Sequence, residues 1–203
     1  ERKRVPLRVT MAPHGDPVLY GAWLRMRGDF GDAGTPVIAF RLIGDRNSLT
    51  PQHVKPIQGA SEASRWEDNA VPGATLTHRP AEDGGMIFTV AFGQSDPWAY
   101  PRLRLAPEER PTADDDGIAV TAHIAEGTGV MRVQFIEETG AVYAADLTSS
   151  GAAEGPQRII ALFDDAHWGS YSREDPDGGL RPEQITAILV GINSERDSQV
   201  EFV

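Results

Sequence analysis

A long succession of short β segments, each closed off by Gly, Pro or Asp, constrains this chain more than any other feature of its sequence. Val5–Met11, Val18–Arg27 and Pro36–Ile43 read as strands, and a polar, strand-poor stretch follows from Gly44 to Pro72. After it come Ala74–His78, Met86–Phe92, Tyr100–Leu105, Ile118–Ile124, Val130–Ile136, Ala141–Leu147, Gln157–Phe163, Ile185–Ile192 and Gln199–Val203. Spacings of roughly 10–15 residues with turn residues between them are the pattern of an all-β chain folded as a β-sandwich or jelly roll. No segment holds a 3.6-residue period for three clean turns. Pro182-Glu183-Gln184 is suited to open a single helical turn, with Pro in the favoured first position.

At 203 residues the chain is long enough for one or two domains. Gly21–Gly44 and Gly117–Gly140 share a plan of strand, Gly/Asp-rich turn and strand, with Val37-Ile-Ala-Phe40 echoing Val133-Gln-Phe135-Ile136. Residues 1–60 are therefore either the remnant of a preceding, similar sandwich or extra strands of the sandwich at 61–203. The chain opens Glu1-Arg2-Lys3-Arg4 with no initiator Met and no apolar signal core, as expected of a fragment or a processed form.

Charge narrows the partners. There are 30 Asp+Glu against 19 Lys+Arg, a net charge of −11, which repels phosphate backbones and anionic membrane surfaces. No apolar run approaches the ~18 residues that cross a bilayer, so neither nucleic acid nor membrane insertion is expected. The absence of Cys excludes disulfides, thiolate zinc sites and a Cys nucleophile. Lys3 and Lys55 are the only Lys, so the basic residues are nearly all Arg, as in translation of a GC-rich bacterial genome.

Alternation assigns faces to the later strands. Ile118, Val120, Ala122 and Ile124 share one face, leaving Ala119, Thr121 and His123 on the other; Met131, Val133 and Phe135 point inward while Arg132, Gln134 and Ile136 point away. The turn-rich link Ala125–Gly129 suits a hairpin. That hairpin would stand Thr121, His123, Arg132 and Gln134 together on one sheet face, either simply solvated or hydrogen-bonded to a polar ligand.

Aromatic residues are few, so their placement is informative. Trp66, Trp98, Tyr100, Trp168 and Tyr171 fall outside or at the ends of the expected strands, where they either plug the ends of a sandwich or stack on sugar faces. The segment Trp168–Gly178 is the most ligand-like, because it combines two aromatics with Arg173 and several acids. Trp23 lies inside a strand and reads as core. The pairs Glu137-Glu138 and Asp164-Asp165 and the run Asp114–Asp116 are poor evidence for catalysis, since neighbours on a strand face opposite ways and a glycosidase needs carboxylates across the scissile bond. The oxygen-rich Asp175–Asp177 could hold Ca²⁺, although no EF-hand spacing is present. His14, His53, His78, His123 and His167 show no zinc spacing, and nucleophile-elbow, phosphate-loop and dinucleotide motifs are absent.

From about Trp66 to Val203 the order of landmarks resembles a carbohydrate-binding jelly roll of the galactose-binding-like group, including the family 11 carbohydrate-binding modules. The matching pieces are Trp98-Ala-Tyr100-Pro-Arg-Leu-Arg-Leu105, the strand pair in Gly117–Ile136, Glu138-Thr-Gly140-Ala-Val-Tyr143 and Gln157–Phe163. They continue with Asp175-Pro-Asp177-Gly-Gly-Leu180, Ile185–Ile192 and the closing strand Gln199–Val203. Two departures stand out: Glu154-Gly155-Pro156 replaces the group's usual Trp before Gln157, and the presumed sheet face is thinly aromatic.

The resemblance implies a non-catalytic accessory domain of a secreted or periplasmic bacterial glycan-degrading enzyme, binding a polysaccharide or oligosaccharide beside a catalytic domain. His123, Arg132 and Gln134 would donate hydrogen bonds, and Tyr143, Trp168 or Tyr171 would be stacking platforms. No cofactor is required; a structural Ca²⁺ between first and last strands would use Glu201. Two other readings stay open. One is a structural or protein-interacting sandwich with Trp98 and Tyr100 as interface anchors; the other is a jelly-roll lyase or glycosidase.

Overall fold

A computed structural model of the chain describes residues 20–25, 37–42, 54–82, 84–146 and 155–203. The chain divides into two compact units, Glu1–Gln52 and His53–Val203. In the first, β1 (Tyr20–Arg25) and β2 (Val37–Leu42) pair antiparallel, with Tyr20 opposite Leu42 and Arg25 opposite Val37. The strand expected at Val5–Met11 lies outside the described residues.

The second unit is all-β. Its strands are β3 (Trp66–Glu67), β4 (Thr75–Pro80), β5 (Met86–Ala91), β6 (Trp98–Ala99), β7 (Arg102–Arg104), β8 (Gly117–Ala122), β9 (Ile124–Glu126), β10 (Val130–Glu137), β11 (Val142–Asp146), β12 (Gln157–Leu162), β13 (His167–Trp168), β14 (Ile185–Asn193) and β15 (Gln199–Phe202). One sheet runs β13-β11-β10-β14-β7-β3, with β6 also paired to β14. The other runs β4-β5-β15-β9. β12 extends it, because β12 pairs β8 and β8 continues into β9 through His123, whose backbone exchanges two 3.0 Å hydrogen bonds with Val203. Every pairing is antiparallel, and the chain crosses repeatedly from one sheet to the other, the weave of a jelly-roll sandwich.

The alternating pattern explains the core. Met131, Val133 and Phe135 of β10 point into the sandwich, as do Phe88 and Val90 of β5 and Val200 and Phe202 of β15. Phe88 stacks on Phe202 at 5.2 Å and meets Trp66 edge-on at 5.0 Å, while Phe135 meets Phe163 edge-on at 5.2 Å. Each such side chain contributes roughly 2–3 kcal/mol of transfer free energy, so a few rings joining the two sheets account for much of their adhesion. Ile118, Val120 and Ile124 also pack against this core, whereas Ala119 and Thr121 are exposed, the faces expected from sequence. Pro182–Gln184 forms a 3₁₀ turn leading into β14.

The expected hairpin between β8/β9 and β10 does not form. β10 pairs with β11 and β14, and β8/β9 belongs to the opposite sheet, so Ala125–Gly129 is an arch across the sandwich. Its glycines are required by close approach: Gly127 has φ +85°, and a Cβ there would lie 2.6 Å from the Gln199 carbonyl oxygen. A Cβ on Gly129 would meet Ile192 Cδ1 at 2.5 Å. Alternation fixes which residues face inward but not whether the next strand pairs beside its predecessor or packs across from it. Thr121 and His123 are thereby separated from Arg132 and Gln134. The echo between Gly21–Gly44 and Gly117–Gly140 likewise stops at the sequence: β1 and β2 form a paired antiparallel ribbon, and β8 and β10 do not pair.

Candidate functional site

The edge of the larger sheet at β13 carries the features of a ligand site. β13 is two residues long, with Trp168 opposite Tyr143 and His167 opposite Ala144. An edge strand this short leaves its side chains in solvent, and Trp168 is 46% exposed. The loop that follows is folded by its own polar groups. Trp168 Nε1 donates to the Arg173 carbonyl at 3.0 Å, and Ser172 Oγ accepts from the Val142 N–H at 2.7 Å while donating to the Arg173 carbonyl at 2.8 Å. Tyr171, 67% exposed, lays its ring over Gly169, where a Cβ would come within 2.7 Å of it.

Asp175 organises the second half of this loop. Its carboxylate accepts from the Asp177 N–H at 3.0 Å, from the Gly179 N–H at 2.8 Å and from the Tyr143 hydroxyl. The Tyr143 hydrogen bond, the two backbone N–H groups and the Arg181 charge hold Asp175 below the usual carboxylate range. Tyr143 is pushed up, first by burial and then by the carboxylate it donates to. Beneath the loop Glu137 is only 2% exposed; Oε1 accepts from the Arg181 N–H at 2.7 Å and Oε2 has no partner. Burial pushes its carboxyl up, reinforced by Asp175 and Asp177 and opposed by the Arg181 N–H and charge.

Between loop and sandwich edge lies a cavity of about 690 Å³, within the usual range for small-ligand sites. Trp168, Tyr143, Asp164, His167, Glu174 and Asp175 are among the residues that line it. An indole face beside fixed carboxylates can hold a sugar ring by stacking and by accepting its hydroxyl hydrogens.

The residues singled out from sequence divide among several places. Trp168 and Tyr171 are the exposed rings. Arg132 and Gln134 lie on the outer face of the larger sheet, opposite Gly191 and Leu189, and Arg132 is close enough to Tyr171 to act on its hydroxyl electrostatically, against the upward push of burial. Gln134 is 8% exposed. Tyr143 is not a stacking platform: it is 5% exposed and packs in the core, while its hydroxyl donates to Asp175 beside the cavity. His123 stands in the other sheet, with Nδ1 buried and unpartnered, away from the Arg132 face. Trp66, Trp98 and Tyr100 are half-buried or buried, Trp98 and Tyr100 packing together at 6.4 Å, so they do not offer the exposed anchors of an interaction surface.

Glu201 does not fit a calcium site. Its Oε2 accepts from Thr89 Oγ1 at 3.2 Å and lies 4.0 Å from Arg79, a cation. Among the described residues no group of three or more His, Asp or Glu is placed to hold a metal ion. Removing calcium with a chelator is therefore expected to shift the thermal midpoint by less than about 1 °C, a change too small for loss of a tightly bound ligand; a fall of several degrees, restored by calcium, would reverse this assignment.

His167, Asp164 and Glu174 were not singled out for the cavity. The sequence signal that could have found them is the density of Gly and Asp between β12 and β14, which places the whole segment at one sandwich end.

The fold and cavity define a jelly-roll β-sandwich with an open, aromatic-walled edge site. No protein-family model matches the chain. No curated protein matches it either. Among solved structures it is similar to the family 11 carbohydrate-binding module from Clostridium thermocellum in complex with a β-1,3-1,4-mixed-linked tetrasaccharide, at 14% identity and a TM-score of 0.48, covering 68% of this chain and 85% of that one. It is also similar to an agarase, AgWH50C, at 8% identity and a TM-score of 0.49, covering 73% of this chain and 23% of that one. A third likeness is to the C-terminal family 22 carbohydrate-binding module of Clostridium thermocellum Xyn10B, at 13% identity and a TM-score of 0.39, covering 72% and 85%.

Proposed function

We propose that this chain is a non-catalytic carbohydrate-binding module, an accessory domain that works outside the cytoplasm beside a bacterial glycan-degrading catalytic domain. The observation that carries the reading is the exposed Trp168 ring lining a cavity that Asp164, Glu174 and Asp175 also line, with a second exposed ring, Tyr171, three residues further along the same loop. Large rings are left in water at a cost unless a partner covers them. Two of the carboxyls at this edge favour binding over acid/base work. The one pushed upward, Glu137, is buried and does not line the cavity, and Asp175 is held ionised with three donors already bound. Among the described residues no helix is long and apolar enough to cross a membrane.

Intrinsic tryptophan fluorescence during titration with a panel of soluble polysaccharides tests the reading. A saturable shift is expected, with Trp168→Ala weakening binding roughly tenfold or more because a central stacking ring is lost. No response across the panel from a well-folded sample would sink the proposal and favour a structural sandwich that packs on a neighbouring domain.

A further inference from the structure

Trp168 is an exposed ring that is nevertheless held. Its Nε1–H donates to the Arg173 carbonyl at 3.0 Å, so the one polar group of the indole is engaged within the loop and only the ring faces are left for a ligand. An exposed side chain without such a tie hops between rotamers, and a ligand that stacks on it must first fix it.

The Arg173 carbonyl is itself held by a single hydroxyl. Ser172 Oγ accepts from the Val142 N–H at 2.7 Å and donates to that carbonyl at 2.8 Å. The carbonyl oxygen has two lone pairs and takes the hydroxyl on one side and the indole on the other. Val142 opens β11 and pairs with Ile136 of β10, so this relay is rooted in the larger sheet and not in the loop. The loop backbone is docked on the same residue: the Gly169 N–H donates to the Val142 carbonyl at 2.9 Å, and the Ser172 N–H closes a turn on the Gly169 carbonyl at 2.8 Å. The Arg173 side chain in turn lies against the β10–β11 turn, where a Cβ on Gly140 would come within 3.1 Å of its Cδ.

We propose that Ser172, which does not line the cavity, is a positioning residue that fixes the Trp168 ring for stacking before any sugar arrives. The inference rests on the carbohydrate-binding reading and adds to it the origin of part of the affinity: the ring is ordered when the protein folds, not when the ligand binds.

Ser172→Ala removes the relay and leaves every residue of the cavity lining unaltered. In the whole chain, affinity for hydroxyethylcellulose, xylan or galactomannan, whichever the parent binds, is expected to fall about fivefold, as for ordering one large side chain on binding. The near-ultraviolet circular dichroism of Trp168, taken as the difference between parent and Trp168→Phe, should lose most of its intensity in Ser172→Ala, because an indole exchanging among rotamers averages its signal. Ser172→Thr keeps the hydroxyl and should keep the signal. Trp168→Phe retains a stacking ring but no N–H, so adding Ser172→Ala to it should change affinity less than about twofold. A fivefold loss that persists in the Trp168→Phe background would be general loosening of the loop and would overturn the inference. Unchanged dichroism and affinity in Ser172→Ala would overturn it too, while leaving carbohydrate binding standing. A folded parent that binds none of the three polysaccharides would overturn the carbohydrate reading and, with it, the purpose assigned to Ser172. Should Ser172→Ala fail to fold, hydrogen exchange at Trp168 Nε1 in the unaltered chain decides: exchange slower than from free indole supports a held ring, and exchange as fast overturns it.

Discussion

Gly191→Ala is expected to destabilise the protein by about 3 kcal/mol, at the upper end for adding one methyl group to a packed interior. Gly191 lies in β14, opposite Arg132 of β10, and β6 crosses its other side. A Cβ built there would lie 2.5 Å from the Tyr100 Cα and closer still to the Ala99 carbonyl oxygen. Both are backbone atoms, so no rotamer change relieves the clash. β6 must lift from β14, loosening the pairs Ile192 with Ala99 and Asn193 with Trp98. Ala99 and Ile192 are fully buried, so the displacement also opens the core. Gly93→Ala is the control: no atom lies within 4 Å of its Cβ position, its φ is not positive, and the change should be neutral or slightly stabilising. Chemical denaturation of both variants checks the pair. A Gly191→Ala loss below about 1 kcal/mol, with an unchanged denaturant slope, would mean that β6 is not held against β14 as described.

The same close approach shows what kind of information the sequence carried. Strand identity was legible where apolar residues alternate, as in β8, β10 and β15, or run together between turn residues, as in β5, β12 and β14. The two-residue strands β3, β6 and β13 were not legible, since two residues have no period. They are held instead by neighbours distant in sequence, Trp66 by Leu103 and Trp168 by Tyr143. The candidate site sits on one of these illegible strands. Trp168 and Tyr171 could be picked out by chemistry, as aromatics in a Gly/Asp-rich loop. Grouping Arg132 and Gln134 with His123 failed for a different reason. It assumed that a turn-rich link joins strands side by side, and only the tertiary contacts of Gly127 and Gly129 reveal that this one spans the sandwich. Tyr143 was misread because its ring obeys the alternation of β11 and packs in the core, while its hydroxyl, one ring length away, reaches Asp175 in the loop.

Glu137→Gln is expected to stabilise the protein at neutral pH by about 2 kcal/mol, the reverse of the usual outcome for altering a buried polar residue. Glu137 closes β10, where the Arg181 N–H reaches one oxygen and nothing reaches the other. Burial and the neighbouring Asp175 and Asp177 charges raise its folded-state pKa above the unfolded value. The sign follows from linkage: a raised carboxyl binds its proton more tightly when folded, so its contribution to stability is complete below about pH 4 and is lost as pH rises through the folded pKa. Gln keeps the acceptor for the Arg181 N–H, never ionises, and turns an NH₂ toward the two aspartates. The advantage of the variant should therefore be near zero at low pH, grow through the weakly acidic range and level off above the folded pKa. Asp175 has the opposite slope: its pKa is held down, so its stabilisation is present above the unfolded value and fades as pH falls. The difference between the two melting curves reports the Glu137 charge together with its coupling to Asp175 and Asp177. Thermal midpoints from pH 4 to pH 8 measure it. A variant less stable than the parent across the whole range would show that the ionised carboxylate is favourable in the folded protein, and hence that a donor or cation reaches Oε2.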